Sequence, residues 1–474
     1  MSLSTIAEGQ TATGTVSRVN ASLTAAVIVT LTNNDTSEAT VNASVTIPSN
    51  ASSTTFTVTG VNDGTGDGAK TVTITAAATG FKSGSVNVTA ASPALPPVRY
   101  QIHFFEQLTS DSTNSMGLLG TNNFGQAVGT HTLANGLSVA IIYDPAINSQ
   151  RVVDLNSIVP LGANYSGWRI STANSINSFG QIAARIERTG TTERKAVRID
   201  MNGDPLSGQS PQLQVIPVDR LTDYASGGNS HSMDINEFGD ILGRYWRQDG
   251  TNGVYVYNFG SPSPPIDLGV TAGNSERINN RTGVQVVGSY FETDSLGRQI
   301  ATAYRITLGP GGSKETFLPV VDQSGNLMHW SSVNDINDVG DFGGAAQIFY
   351  SKKTQGNEYG HVGWMRNLLG TLSLKDSVRG PWRLNEASDF ITSVYYNSEL
   401  FHGVWGFLSP VDLLDPADPD IATWQRSVDY NLWGISDRDA TGFPKLFGIA
   451  RFKDPSSPFY SHYKGFVLTP IPVP

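Results

Sequence analysis

The chain has 474 residues, 15% of them charged, and its 31 Lys and Arg against 41 Asp and Glu give a formal net charge of -10. Nucleic-acid binding needs a basic surplus that neutralises phosphates, so this charge argues against a nucleic-acid partner. The chain contains no Cys, which excludes disulfides, thiolate metal sites and cysteine nucleophiles.

Residues 1–92 predict one small all-β unit. This region holds no Trp or Tyr, and Thr, Ser, Val and Ala dominate it. Alternating apolar and polar residues predict short strands between Asn-, Asp- and Gly-rich turns, at residues 25–31, 41–47, 55–58, 71–75 and 85–89. Short strands at this spacing indicate a β-sandwich. The Pro-rich residues 93–97 then predict an extended linker.

Three motifs give this unit a family resemblance: Ile6-Ala7-Glu8-Gly9, Val45-Thr46-Ile47-Pro48, and the acidic, Gly-rich stretch 61–68. On these motifs it resembles a Calx-beta domain, an immunoglobulin-like sandwich that often binds Ca²⁺ through acidic loops at one end. The resemblance implies that Ca²⁺ would be held by the acidic residues Glu8, Asp35, Asp63 and Asp67. The alternative is that they are ordinary turn residues.

From Val98 onward a short pattern recurs, which we call the marker: Asn-x-x-Gly, usually after Ile and before an apolar strand. Its copies begin at Asn122, Asn177, Asn236, Asn279, Asn337, Asn385 and Ser436, with one residue inserted in the fourth and weak matches in the last two. A unit of three or four strands repeated seven times is typical of a β-propeller. We therefore predict a seven-bladed β-propeller over residues 98–474. Strand 99–105, which precedes the first marker, would complete the last blade and remove two exposed edges.

The copy spanning Ile235-Asn236-Glu237-Phe238-Gly239-Asp240-Ile241-Leu242-Gly243, with its siblings, resembles the extracellular HAF-type repeat family. The resemblance implies an extracellular or cell-surface protein and no general biochemical activity. The first residues contain no charged segment followed by an apolar one, so we expect any signal peptide to have been removed from this chain. The apolar runs fall far short of the ~18 residues of a membrane span, so we expect no transmembrane segment.

The Asn and Gly of the marker are best interpreted as scaffold, because Asn can bond a turn backbone and Gly can adopt φ > 0. The alternative is a functional ring of polar groups at the central channel. Acidic residues near the marker could cap turns, act as an acid and base in glycoside cleavage, or hold Ca²⁺. These residues are Asp234, Asp240, Asp335, Asp341, Asp389, Asp437 and Asp439.

Aromatic residues concentrate in the later blades, where exposed rings would stack on sugar rings. The predicted ligand-binding residues are Trp382, Trp424, Trp433, Tyr395 and Tyr396. The alternative for each of them is packing in the core.

The sequence thus predicts an exported, non-catalytic structural or adhesion protein that presents a rigid propeller surface. Its partner would be a surface glycan, a protein or a second copy of itself. The alternative is a polysaccharide-active enzyme with its site at the channel mouth, which requires two carboxylates about 5–10 Å apart in a deep pocket.

Overall fold

The computed structural model describes residues 5–7, 10–19, 22–61, 70–91, 96–109, 116–202, 211–258, 264–271, 273, 276–293, 299–317, 330–353, 356–366, 372–375, 381–392, 398–404, 406–453 and 461–473. The chain forms two compact units. The first comprises residues 1–98 with 411–413 and 473, and the second comprises the other residues. The fold is all-β, with an immunoglobulin-like β-sandwich and a seven-bladed β-propeller.

The first unit is a sandwich of two sheets. Its strands are β1 (Thr5–Ala7), β2 (Thr11–Ser17), β3 (Val27–Asn33), β4 (Ala39–Val41), β5 (Ser44–Ile47), β6 (Ser53–Gly60), β7 (Lys70–Ala77) and β8 (Gly84–Ala91). One sheet has the strand order β1-β8-β7-β3-β5 and the other β2-β6-β4. Strand β1 runs parallel to β8, and the other described pairs are antiparallel.

Strict alternation along the strands builds the sandwich core. In β6, Phe56 and Val58 are buried while Thr57 between them is exposed. Val72 and Ile74 of β7 are fully buried in the same core. Because side chains of a strand alternate between its faces, the Thr-rich sequence leaves one polar face on each sheet.

The second unit begins with β9 (Val98–Glu106) and continues with four-stranded sheets, the blades, in chain order. Blade 1 contains β10 (Met116–Thr121), β11 (Ala127–Thr132), β12 (Ser138–Tyr143) and β13 (Val153–Asp154). Blade 2 contains β14 (Trp168–Ile176), β15 (Gln181–Arg188), β16 (Arg194–Asp200) and β17 (Gln212–Val215). Blade 3 contains β18 (Ser230–Ile235), β19 (Ile241–Trp246), β20 (Asn252–Tyr257) and β21 (Ile266–Thr271).

The next three blades follow the same plan, except that blades 4 and 5 are joined in one eight-stranded sheet. Blade 4 contains β22 (Arg277–Ile278), β23 (Gln285–Thr293), β24 (Gln299–Thr307) and β25 (Lys314–Phe317). Blade 5 contains β26 (Trp330–Ile336), β27 (Phe342–Lys353), β28 (Gly356–Arg366) and β29 (Leu372–Lys375). Blade 6 contains β30 (Pro381–Leu384), β31 (Phe390–Thr392), β32 (Leu400–His402) and β33 (Gly406–Leu408).

Blade 7 joins the two ends of the propeller sequence. It contains β34 (Ser427–Arg438), β35 (Pro444–Lys453) and β36 (Ser461–Pro472), and β9 is its fourth strand. The first strand of each blade packs against the first strand of the next, and β34 packs against β10, so the ring is closed. Strand β9 thus completes the last blade, as the sequence predicted for strand 99–105.

Helical structure in the described residues is confined to short turns: the 3₁₀ segments Leu155–Ser157, Ala163–Tyr165, Val218–Arg220 and Pro410–Leu413, and the helix Ile421–Trp424. None of the described helices is long and apolar enough to cross a bilayer.

Candidate functional site

In blades 1 to 6 the marker forms a tight turn between the first and second strands, whereas in blade 7 residues 436–438 end the first strand and the turn follows at residues 439–443. In blade 3, the Asn236 Oδ1 accepts the amides of Phe238 at 3.1 Å and Asp240 at 2.8 Å. The Gly239 amide donates to the Asn236 carbonyl at 3.0 Å, and Gly239 has a φ of 80°. Gly adopts this φ without strain, and in blade 6 Ser388 holds the same position with a φ of 60°. The scaffold role predicted for the marker is confirmed.

The marker also joins each blade to its neighbour. The Nδ2 atom of each marker Asn donates to the main-chain carbonyl of the next marker residue. The donor–acceptor pairs are Asn122–Asn177, Asn177–Asn236, Asn236–Asn279, Asn279–Asn337, Asn337–Asn385 and Asn385–Ser436, at 2.9 to 3.2 Å. Ser436 has no side-chain amide, so the series stops between blades 7 and 1.

A second series uses the residue after each marker Asn, and we call these residues the mouth ring: Asn123, Ser178, Glu237, Asn280, Asp338, Glu386 and Asp437. Except at Ser178, the side-chain oxygen accepts the backbone amide of the preceding blade's ring residue. Asp437 and Asn123 bond twice, through the Asp437 amide at 2.8 Å and the Asn123 Nδ2 at 2.7 Å. These two hydrogen bonds join blades 7 and 1, where Ser436 cannot donate a side-chain amide.

The mouth ring concentrates acidic groups. Desolvation, together with the negative charges of Asp338 and Asp437, raises the pKa of the Glu386 carboxyl to about 8. The residue as a whole is exposed. Desolvation also raises the pKa of Glu237. Because Glu386 lies between two acids, its carboxyl carries a proton near neutral pH.

Behind the ring, a polar cavity of about 180 Å³ occupies the channel. The residues two positions before each marker are Gly120, Ser175, Asp234, Arg277, Asp335, Arg383 and Gly434, so charges lie only on blades 3 to 6. Arg383 donates across to the Leu119 carbonyl of blade 1 at 3.2 Å. Burial and the nearby Arg277 lower the pKa of Arg383 to about 9. The volume is below the ~300–1,000 Å³ of ordinary ligand pockets, so the channel is narrow.

The acidic residues near the marker have different roles. Asp234, Asp335 and Asp437 line the channel cavity. Asp240 and Asp389 accept bonds from the marker amides of Asn236 and Asn385. Asp341 accepts the Ser388 hydroxyl at 2.7 Å, and Asp439 caps the turn at Thr441. All seven therefore hold turns or join blades, because Asp234 accepts the Ile278 amide at 3.1 Å, Asp335 the Leu384 amide at 2.8 Å and Asp437 the Glu386 amide at 2.9 Å.

The predicted aromatic contact residues that the structure describes are Trp382, Trp424 and Trp433. Trp424 is only 5% exposed and packs against Tyr430 and Phe466, so its ring is core and the prediction that it binds ligand is corrected. It was predicted near a loop, but it ends the short helix Ile421–Trp424, whose inner side faces the core. Tyr395 and Tyr396 lie outside the described residues.

Trp382 and Trp433 are half-buried and meet edge to face, with ring centroids 6.0 Å apart. The guanidinium of Arg383 lies 5.1 Å from the centroid of the Trp382 ring. Trp433 lines a cavity.

That cavity, which we call the aromatic cavity, lies between blades 7 and 1 and measures about 190 Å³. Its lining residues are Met116, Asp429, Asn431, Trp433, Ile449, Arg451 and Tyr463. Asp429, Arg451 and Tyr463 lie side by side on adjacent strands, since Arg451 is in register with both of the others. The Arg451 Nε donates to Asp429 at 3.2 Å, and its Nη2 pairs with the same carboxylate.

Sequence analysis missed every polar residue of the aromatic cavity. Alternation does place Asp429 and Asn431 on one face of β34, which is a signal in the sequence. Their neighbours Arg451 and Tyr463 come from later strands, and only the strand register brings them together.

Another missed feature is a set of exposed rings at the third residue of the marker. Phe124, Phe179 and Phe238 are 69%, 60% and 59% exposed on three consecutive blades. The marker itself was the signal, because its third residue is the outermost position of the turn.

The proposed Ca²⁺ residues are described only in part. Glu8, Asp63 and Asp67 lie outside the described residues. Asp35 accepts the Ser37 hydroxyl and amide, and the hydroxyl bond lowers the pKa of its carboxyl. Across the described ranges, no group of three or more His, Asp or Glu side chains is placed to hold a metal ion.

No protein-family model and no curated protein matches this chain. Among solved structures, it is similar to a mutant of the Aleuria aurantia lectin in complex with alpha-methyl-L-fucoside. The identity is 9%, the match covers 66% of this chain and 92% of the lectin, and the TM-score is 0.29. It is also similar to an alpha-L-arabinofuranosidase from Podospora anserina, at 9% identity, 80% and 99% coverage and a TM-score of 0.27. A prolyl endopeptidase matches at 9% identity and a TM-score of 0.35, and this chain covers 55% of it.

Proposed function

We propose that the propeller is a non-catalytic carbohydrate-binding module and that its sugar site is the aromatic cavity. The observation that carries this proposal is the row of Asp429, Arg451 and Tyr463 beside Trp433 in one cavity. Aromatic rings offer an apolar face to the C–H groups of a sugar ring. The carboxylate, guanidinium and amide groups offer acceptors and donors for its hydroxyls.

The aromatic cavity is rigid because its walls belong to the core. Trp433 and Tyr463 pack against a buried cluster that includes Phe105, Met116 and Ile449. A pre-formed site binds without the cost of ordering its side chains. Its volume of about 190 Å³ supports contact with one sugar unit of a chain rather than enclosure of a polymer.

A glycan array with the purified full chain, followed by calorimetry on the sugars that bind, tests the proposal. We expect Trp433→Ala to weaken binding about tenfold or more, because a ring contact is lost. Trp433→Phe keeps a ring in place and should retain part of the affinity.

The matched control is Phe238→Ser, which removes an exposed ring at the marker turn and leaves the aromatic cavity intact. If Trp433→Ala folds and binds as well as the original chain while Phe238→Ser does not, the sugar site is at the marker face and the proposal is wrong. Binding to no glycan on the array would overturn it as well.

One observation favours a second candidate, a polysaccharide hydrolase at the channel mouth. Glu386, with its pKa raised to about 8, lies beside Asp437, which is the pattern of an acid next to a carboxylate. Release of reducing ends from a polysaccharide, abolished by Glu386→Gln, would support it. The narrow channel and the use of mouth-ring oxygens by backbone amides favour binding instead.

The cell-surface setting, the HAF-type and Calx-beta assignments and Ca²⁺ binding are part of the same proposal and rest on sequence resemblance alone. A melting temperature unchanged by a chelator would remove Ca²⁺ from it.

A further inference from the structure

Blades 2 and 3 meet in a cluster of basic side chains, on a chain whose net charge is -10. Arg169, Arg185 and Arg194 come from three adjacent strands of blade 2, and Arg244 comes from blade 3. Two acids balance them. Glu187 pairs with both Arg169 at 3.1 Å and Arg194 at 3.2 Å, and Glu276 pairs with Arg244.

Arg185 makes no ion pair in the part of the chain that the structure describes. Its Nε donates to the Ser171 hydroxyl and its Nη2 to the Thr172 hydroxyl, both at 3.1 Å. Burial, followed by the charge of Arg194, lowers the pKa of this guanidinium. Burying part of a charged guanidinium without an ion pair costs free energy, and a bound anion would reduce that cost.

His231 lies near enough to this cation for its charge to act on the imidazole. The Ser230 hydroxyl accepts the Ala196 amide at 3.0 Å, and Ala196 lies opposite Arg185 in the sheet. The following residue, His231, has a buried Nε2 without a hydrogen-bond partner. A buried imidazole nitrogen normally has a partner, so an unpartnered one beside an uncompensated arginine points to a missing acceptor.

We propose that the junction of blades 2 and 3 binds an oxyanion, a sulfate, phosphate or carboxylate group, through Arg185 and His231, with Arg194 and Arg244 supplying positive charge. Arg185 has a planar fork that matches such oxygens, and His231 offers a further nitrogen. The oxyanion would balance the surplus of arginine over glutamate in the cluster. The aromatic cavity lies elsewhere in the ring, so this proposal does not depend on the sugar site.

Titration of the full chain with sodium sulfate, sodium phosphate or sodium acetate, against sodium chloride at equal ionic strength, tests it. We expect an oxyanion to raise the melting temperature above the chloride baseline and to bind in calorimetry. The three salts identify which oxyanion the site prefers. Arg185→Gln should weaken binding about tenfold or more, because a charged hydrogen bond is lost.

The matched control is Arg188→Gln at the end of the same strand, an exposed residue paired with Glu193, which should bind as before. Arg185→Lys keeps the charge and serves if the Gln variant does not fold; it should bind more weakly than the original chain but still detectably.

Burial and the charges of Arg185, Arg194 and Arg244 lower the pKa of His231 to about 3. A bound anion offsets those charges, so sulfate, which keeps its own charge in this range, should bind more strongly as the pH falls from 7 to 5 and should take up a proton. An equal response to chloride and the oxyanions, or unchanged binding by Arg185→Gln, would overturn the proposal.

Discussion

Glu386 makes the same hydrogen bond as other residues of the mouth ring, but the pKa of its carboxyl is raised. The Asn, Asp and Glu side chains of the mouth ring reach back far enough to accept a backbone amide of the preceding blade. At Glu386 the acceptor sits beside Asp338 and Asp437, so the same bond carries an electrostatic cost. The mouth ring therefore fixes the turns and concentrates charge at the same time.

This cost predicts the pH dependence of stability. The pKa of Glu386 is about 8 in the folded chain against an ordinary value of 4.5, so the folded state keeps a proton that the unfolded state has released. Stability therefore falls as the pH rises through this window. His231, with a folded pKa of about 3 against an ordinary value of 6.5, gives the opposite slope around pH 6.5, so the difference in slope between the original chain and Glu386→Gln isolates the carboxyl.

We expect Glu386→Gln to flatten this slope and to be the more stable protein at pH 8, since Gln still accepts the Asp338 amide. Glu193→Gln, in the outer hairpin of blade 2, serves as the control for the same chemical change. An unchanged slope in Glu386→Gln would contradict the assigned pKa.

At the scale of elements, the buried side-chain amide of a marker Asn holds its own turn together and also bonds to the next blade. Asn236 is 2% exposed, and its side chain makes four hydrogen bonds: it accepts the Phe238 and Asp240 amides, donates to the Asp240 carboxylate and donates to the next blade. A blade cannot slide past its neighbour without breaking the last of these. The repeat is therefore a set of inter-blade joints as well as a set of turns.

Asn236→Ala should lower the free energy of unfolding by about 2–4 kcal/mol, because buried amides and a carbonyl lose their partner. Asn135→Ala is the control: this residue caps an exposed turn through the Leu137 amide at 3.0 Å. It should cost about 0.5 kcal/mol or less. Urea denaturation followed by tryptophan fluorescence measures both, and equal losses would show that the inter-blade bond adds nothing.

The sequence determines more of these elements than of the sites between them. The marker is local turn chemistry, so Asn at one end and Gly at positive φ could be recognised and counted to seven blades. Inter-blade contacts are not local. Asp429, Arg451 and Tyr463 meet only because three strands have a particular register, and Trp424 was misjudged because a four-residue helix turns its ring inward.

For the whole molecule, closure of the ring depends on β9. Phe105 of this strand is 1% exposed and stacks on Tyr143 of blade 1 with centroids 3.9 Å apart. The Phe105 ring also packs directly over Gly465 of blade 7. A Cβ at Gly465 would come within 2.0 Å of this ring, so a side chain there would clash with it. One ring thus packs against both blades that meet at the junction.

Phe105→Ala should destabilise the propeller by about 3–5 kcal/mol, the usual cost of a cavity in a core. Phe124→Ala removes the same ring from a position that is 69% exposed and should change stability by less than about 0.5 kcal/mol. All Trp residues lie beyond the sandwich sequence, so tryptophan fluorescence follows the propeller alone. Equal midpoints for the two variants would mean that β9 does not hold the ring closed.

The route of the chain through β9 also has a mechanical consequence. This strand follows the sandwich sequence directly, forms the outer edge of blade 7 and then continues into blade 1. A pulling force along the backbone from the sandwich side therefore enters the propeller at the strand that ties its first and last blades together. Under tension the ring should yield first at that seam, while the joints made by the marker residues of the other blades still hold.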